Sequence, residues 1–279
     1  MGIGFEHDSE DGRRRREGLE DYISSNLLTS KREFICRSCN STCRPSAQRS
    51  GQILVEGEMP HVGQYYSLRD GSGRTVRVVV MGEERGVPKS RKLGPSSGHR
   101  GASSVSVAER TEVILANRNA LHRKANSHIN GTVWGLVALF EAGPVAGRDE
   151  TIIVGRHRVH VLEAFVLTNS TLCSAIGGTG KGKATPEMRA TCAQHARAML
   201  KILEPTHLLL QGASARAAVE RAAGRSLLNE KVTSIQFGTT SCNVVTLNHP
   251  TSHEPTNWSG PSRGYFRTTV QPLLAAARM

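Results

Sequence analysis

Aromatic residues supply only 4% of this 279-residue chain, and apolar residues as a whole 38%. With so few rings, a packed core must be filled by Val, Leu, Ile and Ala. No apolar run approaches the ~18–20 residues a helix needs to cross a bilayer, so no membrane span is expected. The first residues mix acids and arginines without an apolar stretch, so no secretory signal is expected and the chain is read as cytoplasmic. Acidic side chains are also short: 36 Lys and Arg against 24 Asp and Glu leave a net charge of +12 and a pI near 9.9. That excess points to a polyanionic partner, DNA first, although a protein kept soluble by charge has the same composition. Six cysteines are too few for a disulfide scaffold at this length, and paired thiols in a reducing compartment bind metal or do redox chemistry. No heptad repeat is present, and the chain is read as a monomer of one large domain.

The cysteines that are present have an uneven layout. Cys36 and Cys39 form a close pair, Cys173 follows a buried-strand pattern, and Cys192 lies on a helix opening at Thr185-Pro186-Glu187. A loop pair, a strand-end thiol and a thiol on the next helix can converge on one four-thiolate centre, and soft sulfur favours zinc or an iron–sulfur cluster. Cys43 extends the local pattern and could replace one ligand or join Cys36 and Cys39 around zinc. Cys242 precedes a strand and is read as packing.

Residues 1–31 have few large apolar side chains and carry Arg13-Arg14-Arg15-Arg16, so a disordered, solvated tail is expected there. The remaining chain, 32–279, is read as one domain. Val76–Met81 is the first clear strand, and a basic insertion rich in Gly, Ser, Lys and Arg occupies roughly 87–130, its flexible part between Pro88 and Ser106. Apolar spacing predicts a helix over Thr132–Glu141, a small hairpin from Ile152–Val154 and Val159–Val161, and a strand over Ala164–Thr168. A helix over Pro186–Leu203 is capped by Thr185 and ended by Pro205. A strand over His207–Leu210, a helix to Ala223, a strand over Val244–Leu247 and a last helix over Tyr265–Arg278, kinked at Pro272, complete the pattern. Continuous apolar strands alternating with helices predict an α/β fold of three layers, with a mostly parallel four-stranded sheet between helices. Ligands in such folds bind at the carboxyl ends of strands. Three polar motifs fall there: Gly82-Glu83-Glu84-Arg85-Gly86, Thr168-Asn169 and His249-Pro250.

The ordered set Cys36-x-x-Cys39, Gly82-Glu83 with Gly86, Thr168-Asn169 with Cys173, Cys192, and His249-Pro250 resembles the uracil-DNA glycosylase superfamily, especially its iron–sulfur branches. The resemblance covers roughly residues 34–275. It implies a structural [4Fe–4S] cluster on Cys36, Cys39, Cys173 and Cys192, with zinc as the alternative, and hydrolysis of the N-glycosidic bond of uracil or another deaminated base in DNA. Glu83, with Glu84 as rival, would position water and stabilise the sugar cation, and His249 would donate to the departing base. Asn169 would read the edge of a flipped base, with Gly82 and Gly86 beside it. Arg85, Trp258 and Arg263 would contact DNA, Trp258 serving either as a wedge or as a loop anchor.

The chain departs from the family pattern in two ways. Arg85 replaces a proline and Glu84 a small residue, and no Phe, Tyr or Trp lies between Gly86 and Ser106 to stack on a flipped base. The segment His128-Ile129-Asn130-Gly131-Thr132 could rebuild that wall. The same departures favour a second class of function, a nucleic-acid-binding module that keeps the fold and metal site without catalysis.

Overall fold

The structure, a computed structural model, describes residues 4–29, 34, 36, 38–55, 57–84, 106–116, 127–141, 150–177, 183–228 and 230–278. In chain order its elements are β1 (Gly4–His7), α1 (Ser9–Asn26), α2 (Arg44–Arg49), β2 (Gln52–Val55), β3 (His61–Val62), β4 (Leu68–Arg69), β5 (Thr75–Val76), β6 (Val78–Glu84), α3 (Val107–Leu115) and α4 (Ser127–Leu139). They continue with β7 (Thr151–Val154), β8 (His157–His160), β9 (Phe165–Thr171), β10 (Ser174–Gly177), α5 (Pro186–Leu203), β11 (His207–Gln211), α6 (Ala213–Ala223), β12 (Val232–Phe237), β13 (Thr240–Leu247) and α7 (Gln271–Ala277).

The fold is mixed α/β. Its main sheet has six strands in the order β12-β13-β11-β6-β9-β3, not the four expected, because β12, whose apolar residues are interrupted by polar ones, and the two-residue β3 extend it at its edges. β11 pairs parallel with both β13 and β6, and β6 pairs parallel with β9. The edge strands β12 and β3 are antiparallel to their neighbours, so the sheet is mixed. A five-stranded sheet, β5-β4-β1-β7-β8, and the β10-β2 pair complete the strand architecture.

The aliphatic runs explain the layering. Val78, Val79, Val80 and Met81 of β6 are all fully buried, as expected for a strand covered on both faces. Val79 and Met81 pack with Leu19 and Ile23 of α1, Met188 and Met199 of α5 and Val219 of α6. Val78 and Val80 face the other way, among Val133 and Leu136 of α4 and Leu274 of α7. Each such side chain contributes roughly 1.5–3 kcal/mol by burial, which lets a chain poor in aromatics keep a core. The α5 boundaries match the expected ones, with the Thr185 side chain accepting from the Met188 N–H and Pro186 in the first turn.

Residues 1–31 are not a tail as far as they are described. β1 pairs with β4 and β7, and α1 is held by Leu19 and Ile23, both fully buried. Composition misleads here because α1 also packs through charge. The Arg15 guanidinium, 9% exposed, donates to the Ile202 carbonyl and pairs with Asp11 and with Glu204 at 2.8 Å. Arg77 on the opposite side of Asp11 pairs with it at 3.0 Å. Glu204 takes a left-handed backbone (φ 43°) at the end of α5, and its carboxylate accepts from Arg15 and from the Thr240 hydroxyl of β13. The expected insertion is likewise partly helical: α3, capped by Ser106, and the start of α4 fall within it, whereas 85–105 and 117–126 lie outside the described residues.

Burial works against the Asp11 carboxylate, but hydrogen bonds from Ser67, Arg14 and Arg77 outweigh it and hold the carboxyl well below its usual range. A carboxyl depressed by folding adds stability above its unfolded pKa of about 3.9, and that stability is lost as pH falls. Asp11→Asn is therefore expected to cost about 3 kcal/mol in urea denaturation at pH 7, because Arg15 and Arg77 stay buried without it. The gap to the unsubstituted protein should narrow at pH 3. A gap independent of pH would show that Asp11 acts through shape, not charge.

Two wide helical turns have a common cause. Cys39–Cys43 and Phe266–Val270 are π turns, and each is followed two residues on by a proline, Pro45 or Pro272. A proline cannot donate into the preceding turn, and the residue before it bonds five residues back instead, Arg44 N–H to the Cys39 carbonyl and Gln271 N–H to the Phe266 carbonyl. The expected kink at Pro272 takes this form.

Candidate functional site

Four parallel strands end on one edge, and the residues at their tips meet. Gly82 of β6 lies opposite Asn169 of β9, and Gln211 of β11 lies opposite Leu247 of β13, two residues before His249. A methyl on Gly82 would sit 3.0 Å from Asn169 Oδ1 and 3.9 Å from the His128 ring, so glycine lets the carboxamide and the imidazole close over the strand. The Ser170 hydroxyl donates to the Glu83 carbonyl at 2.8 Å and holds the two tips together.

The Glu83 carboxylate reaches over to α6. Its Oε1 accepts the Ser214 N–H at 3.3 Å, at a helix N-terminus whose dipole favours negative charge. Gly212 makes this possible: it has φ +103°, and a Cβ there would lie 2.8 Å from that oxygen. Glu83 is also close enough to His249 for its charge to favour the imidazolium. Burial outweighs that pull and lowers the His249 pKa, so the ring is neutral at pH 7. Its Nδ1 accepts the Thr251 N–H at 3.3 Å and lies 2.9 Å from the Thr251 hydroxyl, which leaves the proton on Nε2.

His128, on the first turn of α4, stacks on His249 with ring centroids 4.8 Å apart and planes 8° from parallel. Burial, reinforced by the neighbouring His249, pushes its pKa down to about 4. Its Nε2 lies 2.7 Å from Oε1 of Gln211, whose amide nitrogen donates to Thr132 at 3.0 Å. Gln211 was missed in the sequence because it ends an apolar strand without a motif around it. A polar residue in the fifth position of a buried strand was the available signal.

Asn169 and His128 thus close over Gly82, and Glu83, the next residue, lies within electrostatic reach of His249. Arg85 and Gly86 lie outside the described residues. Trp258 is not exposed on the surface: it is fully buried, its Nε1 donates to the Asn248 carbonyl at 2.7 Å, and its backbone N–H donates to the Pro250 carbonyl. Gly131 and Gly135, one turn apart on α4, make room for Pro250 and the indole, so Trp258 anchors the loop after His249. Arg263 sits on the surface, about half exposed, and pairs with Glu254 at 2.6 Å.

On the other side of the sheet the thiols converge. Cys36, Cys39, Cys43, Cys173 and Cys192 are all buried and none is disulfide-bonded. Cys39 is the hub, with its sulfur 3.1 Å from Cys36, 3.6 Å from Cys173 and facing Cys43. The Cys39 S–H bond, with help from His195 and against the effect of burial, lowers the Cys36 thiol pKa, while Cys39 itself is pushed up. Burial, with Cys173 nearby, pushes Cys192 up. His195, three residues past Cys192 and bonded through Nδ1 to the Tyr22 hydroxyl at 2.8 Å, is a neighbour the sequence reading missed. Cys242 is fully buried on β13, apart from the cluster, and packs.

Among the described residues, no group of three or more His, Cys, Asp or Glu side chains is arranged to hold a metal ion. The thiols touch one another instead of surrounding a common point. The donor chemistry nevertheless fits a thiophilic centre. Thiols from three separate segments lie together, and the Cys36–Cys39 and Cys39–Cys173 spacings are within a few tenths of an ångström to 0.7 Å of the ~3.8 Å that tetrahedral 2.3 Å bonds to sulfur would set. Among the described residues no helix is long and apolar enough to cross a membrane. No protein-family model matches the chain, and no curated protein matches it.

Proposed function

We propose that this chain is a DNA glycosylase-like hydrolase of the uracil-DNA glycosylase type, releasing uracil or another deaminated base. The observation that carries this reading is the arrangement at the strand tips: Asn169 lies beside Gly82, and Glu83 is within electrostatic reach of His249, whose ring stacks on His128. The sequence places Glu83, Asn169 and His249 in the family's motif order. The net charge of +12 supports a polyanionic substrate.

In this reading the C1′–N bond of the nucleotide breaks with its electron pair leaving on the base, and a water oxygen bonds to C1′. The Glu83 carboxylate faces the sugar, stabilises its positive charge and orients the water. The water's proton leaves to solvent or to the departing base. His249, neutral with its proton on Nε2, donates to the base oxygen on which negative charge builds. Asn169 offers an acceptor and a donor to the base edge. Cys36, Cys39, Cys173 and Cys192 would hold a [4Fe–4S] cluster, or zinc in its place, which would tie the Cys36–Cys43 segment to β9 and α5 without taking part in the reaction.

One observation favours a second reading, a DNA-binding protein without catalysis: no aromatic residue follows Glu83 before Ser106 to stack on a flipped base. An oligonucleotide panel with one uracil, hypoxanthine or xanthine decides between them. The glycosylase reading expects an alkali-labile site on at least one substrate, lost in Asn169→Ala. Salt-dependent binding with every strand left intact would establish the second reading.

A further inference from the structure

We infer that His128, fixed by Gln211 and Thr132, is a positioning residue that holds the His249 ring in place as a covered, Nε2-protonated donor. The inference rests on the reading of His249 as the donor to the departing base.

The hydrogen bonds assign the protons one after another. The Thr132 hydroxyl donates to the His128 carbonyl at 3.0 Å, one turn back on α4. Its oxygen is then the acceptor for the Gln211 amide at 3.0 Å. That orients the Gln211 carboxamide with Oε1 toward His128, so His128 Nε2 must carry the proton in their 2.7 Å bond. Gln211 is fully buried and its backbone pairs with Leu247 of β13, one residue beyond the last β11–β6 pair, so the chain of bonds starts from a rigid point. The close packing of Gly131 against Pro250 fixes α4 relative to the turn that carries His249.

The stacked geometry then determines what His249 can do. Its ring plane is set by His128 on one face and its Nδ1 by Thr251, which leaves Nε2–H as the one donor with a direction available for substrate. An imidazolium at His128 is opposed by burial, by His249 and by Arg110 of α3, and also by the N-terminal end of α4. Glu83 of β6 is the charge that acts in the opposite sense on His249.

The test follows the His249 ring by NMR titration in the full-length protein and in His128→Ala and His128→Phe. The unsubstituted protein is expected to show a His249 midpoint below 6.5. His128→Ala uncovers the ring, so its midpoint should rise toward 6.5, and kcat should fall about tenfold or more with KM little changed. His128→Phe keeps the covering ring, so the midpoint should stay low. An unchanged His249 midpoint in His128→Ala overturns the inference. Should His128→Ala fail to fold, Thr132→Val serves: it breaks the Gln211 bond, and a His249 ring as ordered as before would equally overturn it. A moved midpoint without base release from any substrate would leave the positioning role standing and refute the glycosylase reading.

Discussion

Cys39→Ala is expected to abolish metal retention and to lower the thermal midpoint as far as stripping the metal from the unsubstituted protein does. Cys39 is the thiol that touches both Cys36 and Cys173 and faces Cys43, so its loss disconnects the Cys36–Cys43 segment from the turn between β9 and β10. Structural thiolate sites can contribute on the order of 10 kcal/mol to folding, far above the ~1 kcal/mol typical of a point substitution. Cys242→Ala is the matched control: equally buried but packing against Ile235's strand, it should keep full metal content and cost only about 1 kcal/mol. Cys43→Ala should also keep the metal, since the proposed ligands are Cys36, Cys39, Cys173 and Cys192. Metal analysis and visible absorbance of anaerobically purified protein check all three. Iron with a visible chromophore supports the cluster, and colourless protein with one zinc supports the alternative. Protein that holds neither, with Cys39→Ala as stable as Cys242→Ala, would reduce the thiols to core packing.

His249→Ala should slow base release by about 10²–10³-fold, the cost of removing one donor from a site where negative charge builds, or about 2.7–4 kcal/mol of barrier. The ring stacks on His128 and bonds Thr251, and the loop behind it is anchored separately by Trp258, so the variant should remain folded. Glu83→Gln removes the charge and keeps the shape, and a comparable loss is expected. Single-turnover kinetics with excess enzyme checks both. Rates within threefold of the unsubstituted enzyme would place the chemistry elsewhere.

The parts of the fold visible in the sequence are those in which chemistry and periodicity coincide. β6, β9, β11 and β13 read as strands because burial on both faces demands unbroken aliphatic runs, and α5 announces itself through Thr185, Pro186 and its apolar stripe. The meeting of Cys36, Cys39 and Cys173 and of Gly82 with Asn169 falls where motifs stand at the ends of those elements. What escaped depends on partners distant in the chain. Arg15 looks like part of a solvated run until Asp11, Arg77 and Glu204 close around it. Gln211 looks like the end of a strand until His128 arrives from a helix 83 residues earlier. For Trp258 the sequence leaves wedge and loop anchor open, and the small residues Gly131 and Gly135, distant in the chain, decide for the anchor by giving Pro250 and the indole room. No local pattern encodes such pairings, because each is a compensation between segments, not a property of one.

The most direct measurement is the free base itself. The protein, at excess over a single-strand or duplex oligonucleotide carrying one deaminated base, should liberate that base in a 1:1 ratio with abasic sites, identified by mass spectrometry. Release by the unsubstituted protein and none above background with Asn169→Ala is the expected result. Bound but wholly intact oligonucleotides, across uracil, hypoxanthine and xanthine, would contradict it.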